Sequence, residues 1–77
     1  MLIKKNKLSI VIPIFNENKN LVDLTLKIKK NLKQKINYEI IFIDDSSQDG
    51  TCQTLENLKK INYNLKYYIR KKKKRFI

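Results

Sequence analysis

The chain has 77 residues, room for one small core in which only about 60% of the unfolded surface can be buried, so a large multi-domain enzyme is excluded. Eighteen Lys and Arg against seven Asp and Glu give a net charge of +11, yet 42% of residues are apolar, which excludes a charge-driven disordered tail. With no His and a single Cys, the chain cannot assemble a zinc finger, a disulfide framework or a His-based catalytic dyad. The first apolar stretch, Leu8 to Phe15, is rich in β-branched residues, the pattern of a strand buried on both faces of a parallel sheet. Pro13 cannot donate to a sheet ladder, so it belongs near the carboxyl end of that strand. Ile10 to Phe15 is the longest unbroken apolar run, far short of the roughly 20 residues that cross a bilayer. Lys4, Lys5 and Lys7 imitate the basic start of a signal peptide, but the run is short and the chain has no alanine for a small-residue cleavage site, which predicts a cytoplasmic chain. Cys52 is consistent with a reducing compartment.

Asn16-Glu17-Asn18 reads as a turn able to cap a helix, because Asn side chains accept from the free amides of a first turn. The helix follows, with Leu21, Leu24, Ile28 and Leu32 on one face, Val22 and Leu26 flanking, and lysines on other faces and in the last turns, where they complement the helix dipole. Tyr38 to Ile43 predicts a second strand in a central, doubly covered position, closed by Asp44-Asp45. Ser46 to Thr51 is a loop of side-chain cappers. A second, shorter helix carries Cys52, Leu55, Leu58 and Ile61 at intervals of three, and Asn62 to Asn64 break it. Leu65 to Ile69 reads as a third strand before the basic run Arg70-Lys71-Lys72-Lys73-Lys74-Arg75.

The order is β-α-β-α-β. Each strand pair is separated by a helix-bearing crossover, which makes the pairs parallel and the connections right-handed. This is an incomplete α/β fold, one mononucleotide-binding half of a Rossmann-like sheet, in which ligands bind beyond the carboxyl ends of the strands. Here that rule points to Pro13–Glu17, Asp44–Asp49 and Ile69-Arg70. Adjacent carboxylates at the rim of an apolar sheet repel and need partners; one can accept from a base N–H or a ribose hydroxyl while the other braces the loop, or both can simply turn the chain. Ser46, Ser47, Asp49 and Thr51 suit helix entry better than nucleophilic attack, since no His and no nearby Lys activates a hydroxyl. A single glycine, Gly50, excludes glycine-rich phosphate loops, so a phosphate would be held by a metal ion or by basic side chains.

Ser9-Ile10-Val11-Ile12-Pro13-Ile14-Phe15-Asn16-Glu17, followed some 25 residues later by Tyr38-Glu39-Ile40-Ile41-Phe42-Ile43-Asp44-Asp45-Ser46-Ser47-Gln48-Asp49-Gly50-Thr51, closely resembles the amino-terminal segment of family 2 glycosyltransferases, over residues 8 to 70. It looks most like the branch that moves mannose or glucose from a nucleotide sugar to a polyprenyl (dolichyl) phosphate. The resemblance implies a GT-A fold whose nucleotide-sugar-binding part is residues 1–70, with GDP-mannose or a UDP-sugar as donor. It implies that Pro13, Phe15 and Glu17 line the nucleotide pocket, with Phe15 in the place of a common tyrosine beside the base. Asp44 or Asp45 matches the acid that holds base or ribose, and Arg70 falls near the diphosphate. The family's later D-x-D motif, which holds Mg²⁺ or Mn²⁺, and its acceptor region have no counterpart here, so the resemblance implies a chain that is inactive alone and assigns it no catalytic or metal-ligating residue.

Residues 71–77 read as a basic tail. Arg70 to Arg75 would attract an anionic membrane surface, placing the chain as peripheral at the cytoplasmic face. The four lysines also imply an adenine tract at which a one-base slip would replace the family's continuation, and Lys71 to Ile77 is unlike that continuation. Ile, Lys and Asn are 37 of the 77 residues, a share that adenine-rich codons explain as well as selection for an anionic partner does. The rival reading is a small basic nucleic-acid-binding module, in which Tyr63, Tyr67 and Tyr68 stack on bases beside the basic run. Three strands with an exposed edge also predict an aggregation-prone chain.

Overall fold

The structure is a computed structural model that describes residues 7–32 and 36–71. Strand β1 is Leu8–Ile14, helix α1 Asn18–Leu32, strand β2 Tyr38–Asp44, helix α2 Thr51–Ile61 and strand β3 Leu65–Ile69. The three strands form one parallel sheet in the order β1-β2-β3. Leu8 lies opposite Tyr38 and Ile14 opposite Asp44, while Ile40 lies opposite Leu65 and Asp44 opposite Ile69. The β-α-β-α-β reading therefore holds, as an open, Rossmann-like parallel sheet.

Alternation along each strand separates the two faces. On one face Ile14, Tyr38, Ile40, Phe42 and Leu65 are buried against Leu21 of α1 and Leu55 and Leu58 of α2, with Ile10, Ile12, Leu24, Ile28 and Tyr67 packed around them. Burying each such side chain contributes about 1.5–3 kcal/mol. On the other face Val11 is 58% exposed and Tyr68 57%, and Ile41 and Ile43 are half-buried. The expectation of strands covered on both faces is thus corrected. Two right-handed crossovers that step the same way across a sheet put both helices on one side.

The second helix needs a related correction. Leu55 and Leu58 are buried, but Cys52 is exposed and Ile61 is 77% exposed, and the buried face is completed by Thr51. With about 3.6 residues per turn, steps of three drift by roughly 60° each, so four residues so spaced cannot share a face; Thr51, Leu55 and Leu58 can. Asn62 ends the helix as expected, by a specific means. Its backbone N–H and its side-chain amide both donate to the carbonyl of Leu58, each at 2.9 Å, and its Oδ1 receives the ammonium of Lys29 from α1. Pro13 is the penultimate residue of β1, an edge strand of this sheet, and it is exposed. Phe15 lies just beyond the strand, because Asn16 adopts a left-handed conformation (φ 51°) and turns the chain out of the sheet.

Candidate nucleotide site at the carboxyl edge of the sheet

The strand ends continue briefly as a ladder. Asp45 N–H donates to Ile14 O at 3.0 Å and Arg70 N–H to Asp44 O at 2.7 Å, so the β1–α1 loop, the β2–α2 loop and the end of β3 meet on one rim. The two carboxylates there diverge, as neighbours in extended chain must. Asp44 is buried and accepts from Ser47, from its backbone N–H at 3.0 Å and from its hydroxyl. Asp45 is half-buried on the opposite side, with Arg70 Nη2 3.6 Å from its Oδ1. That oxygen is shielded from solvent, yet it accepts no hydrogen bond. Its charge is offset by the Arg70 guanidinium, which leaves room for a hydrogen bond from a ligand N–H or O–H.

The loops are stitched to one another. Asn16 N–H donates to Ser47 Oγ at 2.6 Å, and Gln48 N–H donates to Asn16 Oδ1 at 2.9 Å. Asn18 N–H donates to Asp49 Oδ2 at 3.1 Å and its amide to Asp49 O at 3.0 Å, while Thr54 Oγ1 donates to Asn18 Oδ1. The first amide of α1 is therefore satisfied from the other loop rather than by its own turn. Asp49 also accepts from Thr51 N–H at 3.2 Å and from the Thr51 hydroxyl, and that hydroxyl in particular holds its carboxyl below the usual carboxylate range. Gly50 has φ 90°, and a Cβ there would stand 3.2 Å from the Asn18 amide, so this single glycine answers to both backbone and space. Ser46, Ser47, Asp49 and Thr51 are all engaged in loop and helix-entry bonds; Ser46, at φ 63°, donates its hydroxyl to Arg70 O at 2.7 Å.

Between the loops lies an open cleft of about 440 Å³ lined by Phe15, Asn16, Ser46, Gln48 and Lys71. Of the residues singled out from the sequence, Phe15 lines this cleft, and Asp45 and Arg70 pair on the same rim. Asp44 is turned into the core side. Glu17 accepts from its neighbour Asn20 at 3.1 Å, and Pro13 lies back in the strand with its face open to solvent. Asn16, Ser46 and Gln48 fall in the stretches that the strand-end rule marks, but the sequence reads Asn16 as part of a capping turn, Ser46 as a helix-entry residue and Lys71 as part of the basic run, and assigns none of the four to the pocket. Asn16 and Ser46 take positive φ, and Asn16 and Gln48 share a cross-loop bond, features that no local pattern announces, although Asn is among the non-glycine residues most at ease in a left-handed turn.

Among the described residues, no three His, Cys, Asp or Glu side chains converge as a metal cage. Asp44 and Asp49 are committed to loop amides and hydroxyls, and Asp45 faces a guanidinium, so this rim does not fit the Mg²⁺ or Mn²⁺ that the resemblance implies. Of the three tyrosines that the nucleic-acid reading invokes, Tyr67 is engaged within the chain, while Tyr63 and Tyr68 are exposed. Tyr63 is 98% exposed in the turn before β3, a strand length from Arg70. Tyr67 donates its hydroxyl to Glu56 at 2.5 Å, which pushes its pKa up to about 12, and Lys59 lies 5.8 Å over its ring. Of the basic run, only Arg70 and Lys71 are among the described residues, so its reading as a membrane contact lies outside them. No helix among the described residues is long and apolar enough to cross a membrane.

The sequence profile of glycosyl transferase family 2 matches residues 9–77, past Arg70, where the motif resemblance ended. The chain is 42% identical over 64 residues to an undecaprenyl-phosphate 4-deoxy-4-formamido-L-arabinose transferase of Proteus mirabilis, covering 79% of this chain and 19% of that protein. It is 42% identical over 52 residues to a dolichol-phosphate mannosyltransferase of Pyrococcus furiosus, covering 68% of this chain and 14% of the relative. A dolichol-phosphate mannosyltransferase of Mycosarcoma maydis is 33% identical over 67 residues, covering 80% and 23%. The chain thus spans less than a quarter of the length of each of these relatives.

Proposed function

The chain belongs to glycosyl transferase family 2, and from that premise we propose that it forms the nucleotide-binding part of a transferase that moves a sugar from a nucleotide sugar to a polyprenyl phosphate. One observation carries the reading: a solvent-shielded carboxylate oxygen of Asp45, without a hydrogen-bond donor, stands beside Arg70 at the carboxyl edge of a parallel sheet. Asp45 accepts from a base N–H or a ribose hydroxyl. Phe15 offers its ring to the base, and Arg70 with Lys71 supplies positive charge to the diphosphate. Asp44 acts behind them, holding Ser47 and with it the loop, while Pro13 and Glu17 shape the first loop from outside the cleft. The polyprenyl phosphate acceptor rests on the names of the relatives, two of which are dolichol-phosphate and one undecaprenyl-phosphate enzymes. With no metal cage among the described residues, the chain by itself binds the donor nucleotide without transferring its sugar.

Calorimetric titration of the 77-residue chain with GDP, UDP and ADP tests this. Saturable binding of GDP or UDP is expected, and Asp45→Asn should weaken it by about tenfold, because a bond to a charged acceptor is lost, with little change in melting temperature. Absence of binding to both nucleotides, or an Asp45→Asn variant that binds as tightly, overturns the reading. Steeply salt-dependent binding of RNA or DNA in their place would establish the basic nucleic-acid module instead.

A further inference from the structure

We infer that Asn16 is a positioning residue that locks the β1–α1 loop to the β2–α2 loop and so fixes the width of the cleft between them. The cleft has two walls, Phe15 and Asn16 on one side, Ser46 and Gln48 on the other. Both walls contain a residue in the left-handed region, Asn16 at φ 51° and Ser46 at φ 63°, a conformation that for non-glycine residues needs support from its surroundings. Each is tethered outward. Ser46 Oγ donates to Arg70 O at 2.7 Å, tying the second loop to the end of β3.

Asn16 ties the first loop to the second from both ends of the residue. Its backbone N–H donates to Ser47 Oγ at 2.6 Å, and its side-chain Oδ1 accepts from Gln48 N–H at 2.9 Å. Ser47 in turn donates its hydroxyl to the buried Asp44, so the tie ends on a carboxylate anchored in the core side of the sheet. Only an acceptor on a short side chain that tolerates positive φ can make the Gln48 bond. Asn and Asp satisfy that requirement; Gly keeps the conformation and loses the acceptor. The consequence for ligand binding rests on the nucleotide reading above, whereas the locking of the two loops does not.

The test compares Asn16→Gly and Asn16→Asp in the 77-residue chain. Hydrogen exchange at the Gln48 amide should speed up by about tenfold in Asn16→Gly and return toward the parent rate in Asn16→Asp, with the amides of β2 protected in both as a check that the fold persists. Affinity for GDP or UDP should fall by about tenfold in Asn16→Gly and recover in Asn16→Asp when measured in high salt, which screens the added charge. A Gln48 amide that exchanges at the parent rate in Asn16→Gly, or a binding loss equal in both variants, overturns the inference. If the parent chain binds neither nucleotide, the nucleotide reading fails, and the exchange comparison alone decides the role of Asn16.

Discussion

The two faces of the sheet are built from nearly the same residues and end in opposite environments. Ile10, Ile12, Ile40 and Phe42 lie under the helices, while Val11, Ile41, Ile43 and Tyr68 look outward with no helix of the described residues over them. Apolar composition did not choose between them. The direction of the two crossovers did, and it left a band of β-branched and aromatic side chains without a second layer among the described residues.

The largest test of that contrast is a pair of truncations. Phe42→Ala, at a side chain with no exposed surface, should cost about 3–5 kcal/mol in urea unfolding, while Val11→Ala, at a position 58% exposed, should stay within about 0.5 kcal/mol. Equal losses at the two positions would show that the outer face is covered in solution. A smaller effect separates the rim from the outer face. Asp49 at the rim and Glu39 on the outer face both titrate below the usual carboxylate range, Asp49 chiefly through the Thr51 hydroxyl and Glu39 chiefly through the Ser9 hydroxyl, which donates at 2.5 Å, and then Lys66. A carboxyl whose folded pKa is depressed stabilises the fold above its unfolded pKa, and that contribution is lost as pH falls through the folded value. Asp49→Asn should therefore lower the melting temperature at neutral pH and flatten its decline in acid, because it loosens bonds that join the entries of both helices. The smallest effect is expected from Glu39→Gln. Its partners Lys66 at 3.2 Å and Lys7 at 4.0 Å are half exposed, so any loss should fade as salt is raised, and a salt-independent loss would show that this pair is shielded.

Much of the fold was legible because its signals are local. Tyr38 to Ile43 reads as a strand by composition, the Leu21-Leu24-Ile28-Leu32 spacing as a helix, and the two asparagines at 62 and 64 offer amides to end the next one. Helix faces were less legible. Ile61 looks like a core residue in a threefold series and lies 77% exposed, since the true face depends on a 3.6-residue turn and on where the helix begins. At the rim, the sequence marked Asp44 and Asp45 as a pair that either divides its roles or simply turns the chain, and the family resemblance set Phe15 and Arg70 along the same edge. It could not say which acid turns inward. That depends on the parity of β2 against the helix layer, in which Tyr38, Ile40, Phe42 and Asp44 share the covered side.

The order of elements, the parallel pairing and the family are legible in the amino-acid order alone, because each follows from runs of side chains read over a few turns or one strand. Only the tertiary structure decided that both helices share one face, that Asp45 rather than Asp44 keeps an open acceptor at the rim, and that Asn16 bridges to Ser47 and Gln48. These depend on contacts between residues some thirty positions apart. No local pattern encodes such contacts; the packing of the two loops over the sheet brings them into being.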